Sequence, residues 1–144
     1  MPEPDSRFVH DINVTWGDCD PAKIVYTGRL PWMALDAINA WWEDLLGGDG
    51  FYEMEIDRGY GTPFVNLNMD FRSPVTPRHP LRLHVRPVRL GDKSITFRVD
   101  GYQDGTLCFE GRFTSVFVEA GPFSAHSAPD EVRAVVEPIL EADI

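Results

Sequence analysis

Two carboxylates beside a helix start hold the clearest chemical potential in this sequence. Asp18 and Asp20 stand two residues apart in Gly17-Asp18-Cys19-Asp20-Pro21, and an apolar-periodic segment opens a few residues later. The first turn of a helix presents N–H groups without intrahelical partners and a partial positive charge, so it can hold a carbonyl oxygen that gains negative charge. A carboxylate beside that turn can attack the carbonyl carbon or deprotonate a water that does. Together the two parts suffice for acyl transfer, with one good oxyanion donor worth roughly 2.7 to 4 kcal/mol of transition-state stabilisation. The same aspartates also fit a plainer role, because aspartate commonly caps turns through its own carboxylate. Cys19 could be a nucleophile in its own right, but no histidine stands near it in the sequence, and a cysteine in a turn is usually packing.

The element that must position this loop follows it. Apolar residues at Leu30, Met33, Ala34, Ala37, Ile38, Trp41, Trp42, Leu45 and Leu46 keep the three-and-four spacing of a helix with one broad buried face. Pro31 suits a first turn, where its missing donor costs nothing, and Gly47-Gly48 supplies a stop. The spacing predicts a helix from about 28–31 to 46. The tryptophans at helical spacing are read as core.

Strands flank the helix. Residues 8 to 16 alternate, with Phe8, Ile12, Val14 and Trp16 on one face and His10 beside them as a packed or edge residue. Phe51 to Asp57 reads as one or two irregular helical turns. From Thr62 the alternation is strict, setting Val65, Leu67, Met69 and Phe71 against Asn66, Asn68, Asp70 and Arg72. The prolines of 73 to 80 interrupt it. Three further strands follow, from Leu81, from about Ile95 and over 106 to 119, joined by turns at Gly91-Asp92 and Asp104-Gly105 into an antiparallel meander, with Pro87 marking an edge or bulge. Pro129 to Leu140 is helix-like, with acids in its first turn. Strand, long helix, strands and short helix make an α+β fold with one antiparallel sheet on one helix.

With 144 residues, 43% of them apolar, the chain has the size for one domain with a sizeable core. Two cysteines make no disulfide framework, and no zinc spacing is present, so a structural metal is not expected. A net charge of −10 opposes general nucleic-acid binding. Eight of the 13 Lys and Arg (Arg72, Arg78, Arg82, Arg86, Arg89, Lys93, Arg98, Arg112) crowd into 72 to 112, where an anion could be met. The start lacks a basic, apolar leader and no run is long enough to span a bilayer, so the expectation is a soluble cytoplasmic protein without membrane partners.

The run Asp18-Cys19-Asp20-Pro21-Ala22-Lys23-Ile24-Val25-Tyr26, the long helix after it, and Gly61-Thr62-Pro63 at the next strand's opening resemble the hotdog-fold acyl-CoA thioesterases of the 4-hydroxybenzoyl-CoA thioesterase type. The likeness extends over about residues 8 to 119. It implies a hotdog, an antiparallel β-sheet wrapped around a long central α-helix, as a single domain over 1–144 with a helical tail at about 129 to 142. It further implies a homodimer or homotetramer with active sites at the subunit interface. The activity implied is hydrolysis of an acyl-CoA thioester to free acid and coenzyme A, the latter being part of the substrate, with no separate cofactor.

On this resemblance Asp20 is the nucleophile or general base and the Thr27 backbone N–H the oxyanion donor. Tyr26, Thr62 and Pro63 fall at substrate-binding positions, and Arg89 and Lys93 are the candidates for the phosphates of coenzyme A. Two departures stand out: Lys23 occupies a position usually held by glycine, and Leu90-Gly91-Asp92-Lys93-Ser94 keeps only Lys93 of a basic run. Arg82 and Arg86 could replace the missing cations, or be the solvated face of a sheet, as Asn66 and Asn68 could be. The alternative is a non-catalytic acyl-CoA or small-ligand binding protein on the same fold. A hydratase would pair the acid with a histidine, and none of His10, His79, His84 and His126 lies in the Asp20 loop.

Overall fold

The computed structural model describes residues 2–144. Its axis is helix α1, Arg29–Leu46, which buries Leu30, Met33, Ala34, Ala37, Ile38, Trp41 and Trp42 along one stripe. The predicted face and limits hold. Gly28 stands at the N-cap with Pro31 in the first turn, and Gly47 ends the helix in the left-handed region (φ 72°), its N–H donating to the Glu43 carbonyl at 2.8 Å. The helix lies on an antiparallel sheet of five strands, β1 (Val9–Ile12), β3 (Phe64–Phe71), β4 (Leu81–Leu90), β5 (Ser94–Gln103) and β6 (Thr106–Val116), in the order β1-β4-β5-β6-β3. Between α1 and β3 come a short helical stretch, α2 (Phe51–Glu53), a π turn over Met54–Arg58, and β2 (Tyr60–Gly61), which pairs with β7 (Val118–Glu119).

The core forms where aromatic rings of helix and sheet interlock. Trp41 and Trp42 meet the Phe97 ring edge-on at 4.9 and 6.0 Å between centroids. Phe97 in turn stands opposite Phe113 in the β5–β6 register. Glycines make room for the bulky neighbours: a Cβ on Gly101 would come within 2.5 Å of the Phe109 ring, and one on Gly111 within 2.7 Å of Phe113. The sheet curves round one helix, a hotdog of the α+β class.

The tail adds a plug. Helix α3 (Asp130–Val136) buries Val132 and Val136 in the same core, and Arg133 donates to the Gly91 carbonyl at 2.7 Å. Beyond it the chain crosses the outer face of the sheet, where Glu141 N–H donates to Pro87 O at 2.9 Å and Asp143 pairs with Arg98 and Arg112. Pro87 sits at a bulge, where the β4–β5 register shifts between Pro87 and Arg89, and past the end of β1, which pairs β4 only as far as His84.

The first strand is shorter than its alternation suggests. It stops at Ile12, because the Asp18 carboxylate takes both the N–H and the hydroxyl of Thr15, at 2.9 and 3.1 Å, and folds Trp16–Asp18 into a 3₁₀ turn. Val14 stays buried while Trp16 is 70% exposed. The strand read from Thr62 begins at Phe64, and the alternation breaks at once with a bulge between Phe64 and Asn66. Among the described residues no helix is long and apolar enough to cross a membrane.

Candidate active site

The loop that carries the two aspartates is a small hairpin. The Asp18 carbonyl accepts from Tyr26 N–H at 3.0 Å, Cys19 bridges Val25, and Asp20 N–H donates to the Ile24 carbonyl at 3.0 Å. A tight turn closes it, with Lys23 N–H on the Asp20 carbonyl at 2.8 Å and Lys23 held at φ 70°. That left-handed conformation is one glycine adopts freely, which accounts for glycine in the related motif. Asp18 is the structural acid. Beyond its bonds to Thr15 it faces Arg29, the first helical residue, at 3.4 Å, so it ties loop to helix.

Asp20 differs in having half of its carboxylate uncommitted. Its Oδ1 accepts the Ala22 N–H at 2.8 Å, an Asx turn that fixes the side chain, while Oδ2 forms no hydrogen bond with the described residues. At the other end of the hairpin the chain enters α1 through two tight bonds, Arg29 N–H to Tyr26 O at 2.9 Å and Leu30 N–H to Thr27 O at 3.1 Å. The Thr27 N–H donates to nothing among the described residues, nor does that of Gly28. The Tyr26 ring lies over Gly28, where a Cβ would meet it at 2.6 Å, so the approach to these amides is lined by an exposed aromatic face.

A buried glutamine anchors the hairpin from behind. Gln103 accepts Thr76 N–H at 2.9 Å and donates to the carbonyls of Thr76 and His79 at 2.8 and 2.7 Å, fixing the proline-rich segment. From that segment the Val75 carbonyl accepts Val25 N–H at 2.8 Å. Thr27 and Leu30 then line a cavity of about 250 Å³ with Phe71 and Val75.

A larger cavity, about 630 Å³, opens farther along α1. Thr62 and Pro63 line it, so the structure brings these two sequence-derived positions to a site, together with Trp32, Asp36 and Asn39 of α1, Glu55 of the π turn and Phe123. Asn39 builds one wall by accepting the Phe51 N–H at 2.8 Å, which pins α2 to α1. Gly61 lets the Glu55 carboxylate sit against the backbone, at 2.7 Å from where a Cβ would be. Trp32 is 70% exposed and so belongs to the cavity rather than the core to which its spacing assigned it. Its signal was present: Trp32 and Asp36 are four apart and lie off the buried stripe.

The remaining candidates lie elsewhere. Asp20 and Tyr26 do not line the large cavity, and Arg89 and Lys93 are exposed near and within the β4–β5 turn, also outside that lining. Arg82 is bound to Glu3 and Asp11 at 2.8 and 3.2 Å, and Arg86 donates to the Ile144 carbonyl, so both are engaged by the chain's own ends. His84 is buried between Glu3 and Ser6, at 2.7 and 2.8 Å, on the same outer face. Hydrogen bonds from Arg82 and His84 hold the Glu3 carboxyl below its ordinary range, outweighing the opposing and individually largest effect of burial.

Over residues 14–136 the chain matches the thioesterase-like superfamily, and it belongs to that family. A solved structure of a thioesterase superfamily protein from Jannaschia sp. CCS1 is similar at 61% identity, covering 99% of both chains with a TM-score of 0.94. More distant structures share the fold. The 1,4-dihydroxy-2-naphthoyl-CoA thioesterase Slr0204 from Synechocystis is 15% identical, with a TM-score of 0.80 over 90% of this chain and 94% of that one. The gentisyl-coenzyme A thioesterase BH1999 is 23% identical, with a TM-score of 0.78 over 88% and 99%. No curated protein sequence matches the chain significantly.

Proposed function

We propose that this protein is an acyl-CoA thioesterase that uses Asp20 as nucleophile or general base and the Thr27 N–H as oxyanion donor. The observation that carries this reading is the division of labour on one hairpin. One end holds a carboxylate with one oxygen pinned by Ala22 and the other uncommitted, and the other end leads to the Thr27 and Gly28 amides just ahead of α1, which have no partner among the described residues. Attack of Oδ2 on the thioester carbon would expel the coenzyme A thiolate and leave a mixed anhydride, which water then opens to regenerate Asp20. In the base-catalysed version Oδ2 takes a proton from the attacking water instead. In both, negative charge on the carbonyl oxygen grows toward the Thr27 amide, where a preorganised donor acts most strongly.

The lining of the large cavity supports the choice of substrate. Trp32, Tyr52 and Phe123 give that cavity aromatic walls beside Thr62 and Pro63. An aryl acyl group of the 4-hydroxybenzoyl kind fits such a lining. Tyr26 would flank the thioester, and Arg89 and Lys93 would meet the phosphates of coenzyme A from the β4–β5 turn. The assembly belongs to the same reading. Strand β3 is an edge of the sheet with Val65, Leu67 and Phe71 61%, 45% and 49% exposed, a surface a second copy would cover in a homodimer, and two dimers would make a homotetramer.

The test is Asp20→Asn, assayed by thiol release over a panel of aryl- and alkyl-CoA thioesters. A fall in kcat of at least about 100-fold is expected, and wild-type turnover would remove Asp20 from the mechanism. A non-catalytic acyl-CoA binding role has one observation in its favour, the position of Asp20 outside the large cavity. Tight calorimetric binding of an intact acyl-CoA without hydrolysis over hours would establish that role instead.

A further inference from the structure

The large cavity is negatively charged, and its own chain does not neutralise it. Asp36, Asp49 and Glu55 line it, and no arginine, lysine or histidine does. Arg58, the cation nearest in sequence to Glu55, is taken up by Glu53 and Glu131 at 2.8 and 3.0 Å. Facing the acids are three aromatic rings left open to solvent around one space, Trp32, Tyr52 and Phe123, at 70%, 68% and 69% exposure. Within the same lining, Thr62 is buried, and its hydroxyl oxygen is closed off from solvent without a hydrogen-bond partner.

Aromatic faces and carboxylates attract the same ligand class. The negative face of an aromatic ring draws a cation, and does so best where the cation's hydration is soft, as around an organic ammonium. The carboxylates add charge of the same sign. Among the described residues no three His, Cys, Asp or Glu side chains converge as ligands for a metal ion, so the charge is spread around a box and not focused on a point. A carboxylated acyl group would be repelled there.

We propose that this cavity receives an acyl group bearing a cationic nitrogen, an amine or a quaternary ammonium. That the occupant is an acyl group rests on the thioesterase reading above; that it is cationic rests on the lining alone.

The test compares a cation with its neutral isostere. The full chain is titrated calorimetrically at low salt with 4-(trimethylammonio)butyramide and with 5,5-dimethylhexanamide, which differ only by carbon in place of the charged nitrogen. The cation is expected to bind at least about tenfold more tightly, and Asp36→Asn and Glu55→Gln each to shrink that ratio by about three- to tenfold. Equal or weaker binding of the cation, or no binding of either amide, overturns the proposal. The coenzyme A thioesters of the same two acyl groups separate the two readings. A cation preference in binding with neither thioester hydrolysed would sink the hydrolase and leave the cationic site standing. Hydrolysis of both thioesters, with no preference in binding, would do the reverse.

Discussion

Strands β5 and β3 turn apolar side chains toward the same side of one sheet and meet opposite fates. Ile95, Phe97 and Val99 of β5 are fully buried under α1, while Leu67 and Phe71 of β3, which pair with Phe113 and Phe109 and so face the helix side, are close to half exposed. The difference lies in what the single helix can reach. Its tryptophans cover the middle of the sheet, and the edge beyond β6 is left with an open apolar face and a row of unpaired backbone groups. The molecule thus has one core completed by its own chain and, on the proposed reading, a second completed by another copy.

That contrast can be broken most directly at its centre. Phe97→Ala should cost about 3–5 kcal/mol in urea unfolding, whereas Phe71→Ala in a dilute, monomeric sample should cost less than about 1 kcal/mol. Similar losses at the two sites would show that β3 is as well packed as β5. Next in size is Leu67→Lys. It should turn a dimer into a monomer by light scattering while leaving the far-ultraviolet circular dichroism unchanged, and an unaltered mass would place any assembly elsewhere.

A smaller effect sharpens the boundary between the two regions at Tyr60, just ahead of β3. Its side chain is buried against Phe117 and its hydroxyl has no partner. Burial, with the Glu131 charge adding to it, pushes the phenol up to about 12. The unfolded chain ionises near the ordinary value of about 10, so stability is intact below that pH and falls as pH rises from 10 toward 12. Tyr60→Phe should gain about 1 kcal/mol at neutral pH and flatten that alkaline fall, as followed by thermal melts across pH.

These regions were not equally legible in the sequence. The three-and-four spacing from Leu30 gives the helix and its buried face because one stripe decides both. The period of two in β3 names a face correctly but says nothing of whether anything lies over it, so Val65, Leu67 and Phe71 look the same as Ile95, Phe97 and Val99. The Asp20 hairpin could be found because it is local, a nine-residue run beside a helix start. The acidic aromatic cavity showed only in pieces, the Trp32–Asp36 spacing and Thr62–Pro63, because Asp49 and Phe123 come from other segments, and the β2–β7 pair that brings Phe123 near has two residues per strand, too short to leave a period.

On the proposed mechanism, the Asx turn at Asp20 has a kinetic meaning. Because Ala22 already grips one oxygen, the carboxylate gives up its rotational freedom when the chain folds and not each time a ligand arrives. An attacking group immobilised in advance needs little further ordering to reach its target. Loosening that grip, by swapping Asp20 for the longer Glu, would keep the charge and scatter its aim.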